Sequence, residues 1–380
     1  MEQKYYKRFI GLDIHKINFS YAAVDPQGQP VMQGRKPMSD LSLWASRNLT
    51  KEDQVVIEAT GNSYVVYDQL APWAGSVVIA DPLAMHDRTR AGRKTDRLDA
   101  QHLAQALRGG YIASVWVPTP EVRQQREWVA HRHALAKHLT AARNELRSLL
   151  YRHGLSFAGA DVLDASMPAF IANSAPPALT QQLLLSKLRL GLAIQTEIAQ
   201  IDKDLATEAL RNEACLKLMT LPGVAAQAAL IIISAVGDIK RFETPKQLAC
   251  YSGLVPSVSQ SGETAHYGSI THRGRSLLRW IMVEAANAAV LTPGPVQNRY
   301  QRLRRRGKTH SVAVVAVARH LLELVWHLLT KQTVYRDAKP KYLTTKLRGV
   351  LRRAYGRCPV NAAPTLANTI MGWKVNPAAS

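Results

Sequence analysis

An α/β domain followed by a mainly helical chain is the fold class that this sequence predicts, and three observations predict it. Between residues 8 and 115, short β-branched apolar runs alternate with helical stretches. From about residue 120, apolar positions recur at helical intervals with dense charge between them. A Ser-, Gly- and His-rich stretch at 251–280 then interrupts the helical pattern and leads into two nearly apolar helices.

The elements follow in order. "RFIGLDIH" (8–15), "FSYAAVD" (19–25) and "QPVMQGRK" (29–36) read as three close strands, with "DPQGQ" as a hairpin turn. A helix is predicted over 40–49, a strand at "QVVIEAT" (54–60), a helix over 63–73 and a strand at "SVVIADP" (76–82). A strand meander that gives way to strand–helix alternation favours a ribonuclease H-like mixed sheet over a doubly wound one. "EVRQQREWVAHRHALAKHLTAARNELRSLLYRHG" (121–154) and "LTQQLLLSKLRLGLAIQTEIAQIDKDLATEAL" (179–210) predict two long amphipathic helices around a Pro- and Ser-containing connector. The pattern suits an antiparallel coiled-coil arm and an ordinary helical subdomain equally. "LMTLPGVAAQAALIIISAVGDIKRF" (218–242) has the form of a helix-hairpin-helix, whose turn around Gly223 can offer N–H groups to a phosphate. The domains read as 1–118, 119–213, 214–330 and a basic tail, 331–380, partly without structure.

Charge narrows the partners. Forty-nine Lys and Arg against 28 Asp and Glu give +21 and a pI near 10.1, a balance that points to a polyanion and to nucleic acid first. The excess is clustered: residues 331–380 hold ten Lys/Arg and one acid, and "RYQRLRRRGK" (299–308) holds six more. Cys215, Cys250 and Cys358 form neither a zinc pattern nor a disulfide framework, which predicts a reducing cytoplasm. The first residues lack a signal-peptide h-region, and apolar runs such as "AALIIISAV" (228–236) are too short for a bilayer, so no membrane partner is expected.

Four carboxylates stand out. Asp13 lies within the apolar strand "IGLDIH", where an uncompensated charge is costly. Glu58 ends the strand "VVIEAT", and Asp96 and Asp99 share one face at the start of an alanine-rich helix. Singly, each is explained by a satisfied strand acid or by a favourable helix dipole. Jointly, two strand acids and two helix acids form the set that hydrolytic nucleases use to hold Mg²⁺, in a two-metal arrangement. "GLDIH" also opens like the first phosphate loop of actin-like sugar kinases; the later glycine-rich loops of those proteins have no match here, and the basic charge runs against that alternative.

"FIGLDIHK", "VVIEATGNSY", "DPLAMHDRTRAGRKTDRLDAQHLA", "VWVPTPEVRQQRE", the 218–242 hairpin and "LACYSGLVPSVSQSGETAHYGSITHRGRSLLR" together resemble the transposases of the insertion sequence 110 family, over roughly residues 8–330. The resemblance implies a RuvC-like DEDD nuclease domain, a helical dimerisation arm and a transposase domain with a catalytic serine. Carried over by motif, the DEDD set falls on Asp13, Glu58, Asp96 and Asp99, and the nucleophile on Ser261, with Ser259 and Ser252 as neighbouring alternatives. It further implies cut-and-rejoin chemistry on donor and target DNA, a bridge RNA as guide, and a dimer or tetramer whose two domains form a composite site. The alternative activity is a hydrolytic junction nuclease built on the same carboxylates. Phosphate contacts are expected from Arg93, Lys94, Arg97, His272, Arg273, Arg275, Arg279, Arg304, Arg305 and Arg306.

Overall fold

The computed structural model describes residues 5–81, 96–261, 264–271 and 274–373, the side chains of 96–97 and 258–267 excepted. The chain divides into two compact units, Met1–Pro118 and Thr119–Ser380.

The first unit is built on a six-stranded sheet. Its strands are β1 (Arg8–Ile14), β2 (Asn18–Val24), β3 (Pro30–Pro37), β4 (Asp53–Glu58), β5 (Ser76–Ala80) and β6 (Ser114–Val115), in the order β3-β2-β1-β4-β5-β6. β1, β2 and β3 pair antiparallel, β4 and β5 continue parallel to β1, and β6 closes the edge antiparallel. Strand alternation then sorts the two faces. Ile10, Leu12, Val55, Ile57 and Ile79 form one core with Leu41, Trp44 and Ala45 of α1 (Leu41–Asn48) and Val66 and Leu70 of α2 (Ser63–Leu70). Val56 and Ala80 point to the other face, where they pack with Leu103 and Leu107 of α3 (Asp96–Arg108).

Helix α3 lies very close to the sheet. A Cβ at Gly11 would stand 2.1 Å from the carbonyl oxygen of Ala100 and 2.7 Å from the amide of Ala104. A glycine opposite two alanines lets helix backbone touch strand backbone, so Gly11 is required for space rather than for conformation. At the other end of the sheet, buried Asp53 accepts from Arg8 Nε and Nη2 at 2.7 and 2.6 Å and from the Thr50 amide at 2.6 Å. Arg8 also donates to the Asn48 carbonyl at the end of α1.

The second unit begins with the two long helices, α4 (Pro120–Arg152) and α6 (Ala178–Arg211), joined through α5 (Met167–Asn173). Thr119 caps α4, with Pro120 at its first position. The long pair runs antiparallel, since Arg132 forks onto Asp202 at 2.9 Å for each bond while Glu145, further along α4, meets Lys187, earlier on α6. Leu139, Leu146, Leu149, Leu184, Leu188 and Ile198 fill the seam, and Val162, Leu163, Met167 and Ile171 of the connector pack into it.

Next come α7 (Glu213–Leu218) and α8 (Ala226–Val236), then α9 (Pro245–Ser252). They are followed by the hairpin β7 (Pro256–Ser261) and β8 (Thr264–Ile270). The helices α10 (Ser276–Ala289), α11 (Pro295–Arg305) and α12 (His310–Lys331) complete this part. Gly223 sits in the α7–α8 turn at φ +76°, and a Cβ there would stand 1.9 Å from the Ala285 carbonyl of α10. The hairpin glycine thus serves both a left-handed turn and a backbone-to-backbone contact. Helix α12, unlike the shorter runs noted above, is long and apolar enough to cross a membrane. Val314, Val317, Ala318, Leu321 and Val325 on it are instead buried in the main core of this unit.

Beyond 331, where a tail partly without structure is expected, the described residues form α13 (Pro340–Tyr355) and α14 (Ala362–Gly372). Leu343, Leu347, Val350 and Ala354 recur at i, i+4, i+7 and i+11 and are buried, and α13 packs on α6. High charge density hid a regular apolar stripe. Lys346 of the same helix turns inward, where its Nζ donates to the carbonyls of Met219 (2.8 Å) and Leu221 (2.5 Å).

Two outcomes follow. Gly11→Ala forces α3 off β1 and should lower the stability of the first unit by about 1–3 kcal/mol in urea denaturation; a change within about 0.5 kcal/mol would contradict the close-contact account. Burial lowers the Lys346 ammonium from 10.5 to about 7. Between those values the unfolded chain holds a proton that the folded chain has lost, so this group's contribution to stability rises with pH across that window. Denaturation of wild type and Lys346→Met at pH 7 and pH 9.5 should show that rise in the wild type alone; parallel curves would refute it.

Candidate active site

Asp13 and Glu58 end up side by side through sheet register. β1 and β4 are parallel and pair Leu12 with Ile57, which makes Asp13 and Glu58 the next opposing residues at the strands' C-terminal ends. Alternation from Gly11 and Val56 turns both towards the α3 face. Asp13 is largely covered, its side chain 13% exposed, and Oδ2 lies 3.1 Å from Nε2 of His15. Glu58 is half-buried.

The helix supplies the remaining acids to the same edge. Near the C-terminus of α3, Gln105 Nε2 donates to the Gly28 carbonyl (2.8 Å) and Arg108 Nη1 to the Pro26 carbonyl (3.3 Å), so that end lies over the β2–β3 turn. Since Val24 pairs with Phe9, that turn is at the start of β1. The first turn of α3 therefore lies over the end of β1, and Asp96 and Asp99 belong to that turn. The positive end of the helix favours carboxylates there. Asp99 is half-buried; the side chain of Asp96 lies outside the described residues.

Oxygen donors of this kind suit a hard divalent cation. Among the described residues, no three carboxylate, imidazole or thiolate groups stand close enough to form a metal cluster by themselves. Asp81, which the sequence reading did not single out, follows β5 at the same edge, but alternation turns it to the opposite face.

The three serines are in unlike settings. Ser252 is buried, its Oγ donates to the Ala249 carbonyl (2.7 Å), and it accepts from the Leu254 amide (3.3 Å), closing the end of α9. Ser259 and Ser261 are on β7, where Ser261 pairs with Thr264 at the last rung before the 262–263 connection. Six strand residues, about 20 Å, separate Ser261 from Val255 at the hairpin's base.

The basic residues divide in the same way. Arg275 Nε donates to Tyr251 Oη (3.1 Å) and Arg279 Nη1 to the Ser252 carbonyl (3.1 Å), both at the base of the hairpin rather than at its tip. Tyr251 also faces Arg241, whose guanidinium carbon is 4.3 Å from its ring; burial raises the phenol's pKa, but Arg275 and Arg241 outweigh it and hold the value below normal. Tyr251 and Arg241 lie within the family-like stretches, but no spacing in the sequence pairs them. Arg304, Arg305 and Arg306 are exposed at the end of α11, and Arg304 Nη1 donates to the Lys308 carbonyl (2.6 Å). Arg93, Lys94, His272 and Arg273 lie outside the described residues, as does the side chain of Arg97.

Comparison with known proteins explains why these features share a chain. A model of DEDD transposases of the IS110 type matches residues 10–154, a span that contains all four carboxylates. A second, for the transposase IS116/IS110/IS902 family, matches 215–301 and contains the three serines. The transposase for insertion sequence element IS1111A of Coxiella burnetii is 30% identical over 342 residues, covering 87% of this chain and 91% of the relative. The chain belongs to the IS110/IS116/IS902 family of transposases. A probable family 20 transposase of Pseudomonas aeruginosa is 25% identical (86% of this chain, 98% of that one). The pilin gene-inverting protein of Moraxella bovis is 27% identical (85% and 96%). Both relationships run through both units of the fold. As a member of this family, the protein is a DNA recombination enzyme, and the carboxylate edge and the serine hairpin belong to its two matched regions.

Proposed function

We propose that this transposase cuts and rejoins DNA strands through Ser261, with Asp13, Glu58, Asp96 and Asp99 as a Mg²⁺-binding set on a RuvC-like sheet. The observation that carries the reading is the convergence at one sheet edge: register sets Asp13 beside Glu58, and α3 runs so that its acidic first turn comes over them. The strand order, three antiparallel strands followed by two parallel ones, supports the ribonuclease H-like assignment.

Chemically, the Ser261 hydroxyl loses its proton as its oxygen bonds to phosphorus. The bond to the 3′ oxygen breaks, and that oxygen takes up a proton. One phosphodiester is exchanged for a phosphoserine, so the 3′-hydroxyl of another strand can attack it, seal the DNA and return the serine. Bound Mg²⁺ would offset the charge that builds on the phosphate. Asp13, Glu58, Asp96 and Asp99 would hold the cation, with the α3 N-terminus favouring their charged form. Ser261 is preferred to Ser252 because the latter's hydroxyl is buried and committed to the end of α9. In our reading a bridge RNA selects the DNA by base pairing, the arm of α4 and α6 joins copies into a dimer or tetramer, and exposed arginines such as Arg305 and Arg306 hold phosphate.

A purified protein given Mg²⁺ and DNA carrying the element's ends should form a covalent adduct that survives denaturing electrophoresis. The adduct should vanish in Ser261→Ala, persist in Ser252→Ala, and fall about 100-fold or more in Asp13→Asn or on chelation. An adduct that survives Ser261→Ala overturns the serine assignment, and nicking without any adduct favours the hydrolytic alternative. Protein purified from its native cells should carry one discrete RNA species on sequencing; its absence would remove RNA guidance and leave the strand-transfer chemistry standing.

A further inference from the structure

Three helix starts meet in the second unit. α8 begins after Ala225, α11 after Gly294 and α13 after Lys339, and no side chain caps any of the three. All three cap residues line one cavity of about 340 Å³. Pro222, Gly223, Ala288, Pro293, Tyr342 and Lys346 also border it. The walls are thus mainly apolar, with the rings of Tyr335 and Tyr342, while the surrounding backbone ends and Lys339 are positive. A cavity of this size and lining takes a small organic group held by a few placed polar contacts. A simple anion would leave the proline and tyrosine walls unused, and an apolar ligand would leave the helix starts and Lys339 unused. A flat base attached to a phosphate uses both.

The surface beside the cavity carries the same signature. Lys341, Thr345, Arg348 and Arg352 are exposed at i, i+4, i+7 and i+11 of α13, a stripe about 16 Å long at 1.5 Å per residue. α13 contains no acidic residue. The stripe starts at the cavity rim, where Lys339 Nζ lies 5.9 Å from the Tyr342 ring centre. Asp337, also in the lining, repels phosphate from its own side and leaves the Lys339 side as the entry.

We propose that this cavity captures one unstacked nucleobase of a single-stranded nucleic acid whose backbone runs along the basic stripe of α13. The proposal rests on the nucleic-acid reading above and adds a site to it. Stacking on an aromatic ring is tolerant of sequence, and basic side chains at helical spacing follow a backbone.

The test uses the full chain and matched DNA and RNA oligonucleotides of about a dozen nucleotides, each with one 5-iodouracil for photocrosslinking. The crosslink should map by mass spectrometry to the peptide containing Tyr342. Ala288→Trp fills the cavity from its exposed wall; it should remove that crosslink and weaken binding about tenfold, while Ala288→Ser behaves as wild type. Arg348→Gln with Arg352→Gln should weaken binding and flatten its salt dependence without moving the crosslink. The strand that binds more tightly identifies whether DNA or RNA supplies the base. A protein that recombines DNA yet crosslinks elsewhere, with equal affinity in Ala288→Trp, overturns the cavity proposal alone. A wild type with no affinity for any nucleic acid overturns the functional reading as well.

Discussion

Backbone contact between β1 and α3 is the constraint on which the first unit's candidate chemistry depends. Gly11 has no side chain, and Ala100 and Ala104 have almost none, so the helix rests on the strand with no intervening layer. An ordinary helix-on-sheet spacing would lift the first turn of α3 away from the strand ends. The same alternation that turns Gly11 to the helix turns Asp13 there two residues later, and parallel register does so for Glu58. One missing Cβ therefore fixes how near the helix acids come to the strand acids. The Arg8–Asp53 pair does its work at the other end of the sheet, tying β1 and β4 together and leaving the C-terminal edge to the acids.

Much of this was legible in the sequence, for physical reasons. The strands of the first unit alternate cleanly and the long helices repeat cleanly, so the meander, the strand–helix alternation and the two long helices could be read from period, while the antiparallel pairing of α4 and α6 was one of two equal readings. Asp13 stood out because a charge inside an apolar strand needs a cause. What stayed hidden was tertiary. The stripe of Leu343, Leu347 and Val350 was masked by the basic residues between them, so α13 read as tail. Tyr251 carries no spacing signal, because Arg241 and Arg275 reach it from different elements. Ser252 and Ser261 look alike in a Ser-rich run; only burial separates a hydroxyl that closes a helix from a backbone position at the end of a hairpin.

The net charge of +21 also divides once the fold is known. Arg8, Arg132 and Arg143 are spent on Asp53, Asp202 and Asp161, and Arg126 on the carbonyls of Ser234 and Ala235. Lys346 is turned inward onto two carbonyls. The exposed remainder lies on particular elements, above all the end of α11 and the outer stripe of α13, where few acids compete. Charge that looks uniform along the chain is thus part scaffold and part surface, and only the second part is open to a polyanion.

The placement of α3 has a consequence for how the protein is made. The partner helix of β1 ends at Arg108, so the two can meet only after about a hundred further residues have been synthesised beyond β1. Closing that long a segment is slow compared with forming the neighbouring β1–β2 pair. A nascent or truncated chain can therefore have the meander in place while the acids of α3 are still absent from its edge. If the carboxylates act as a set, that set is completed in a single step, when the helix docks.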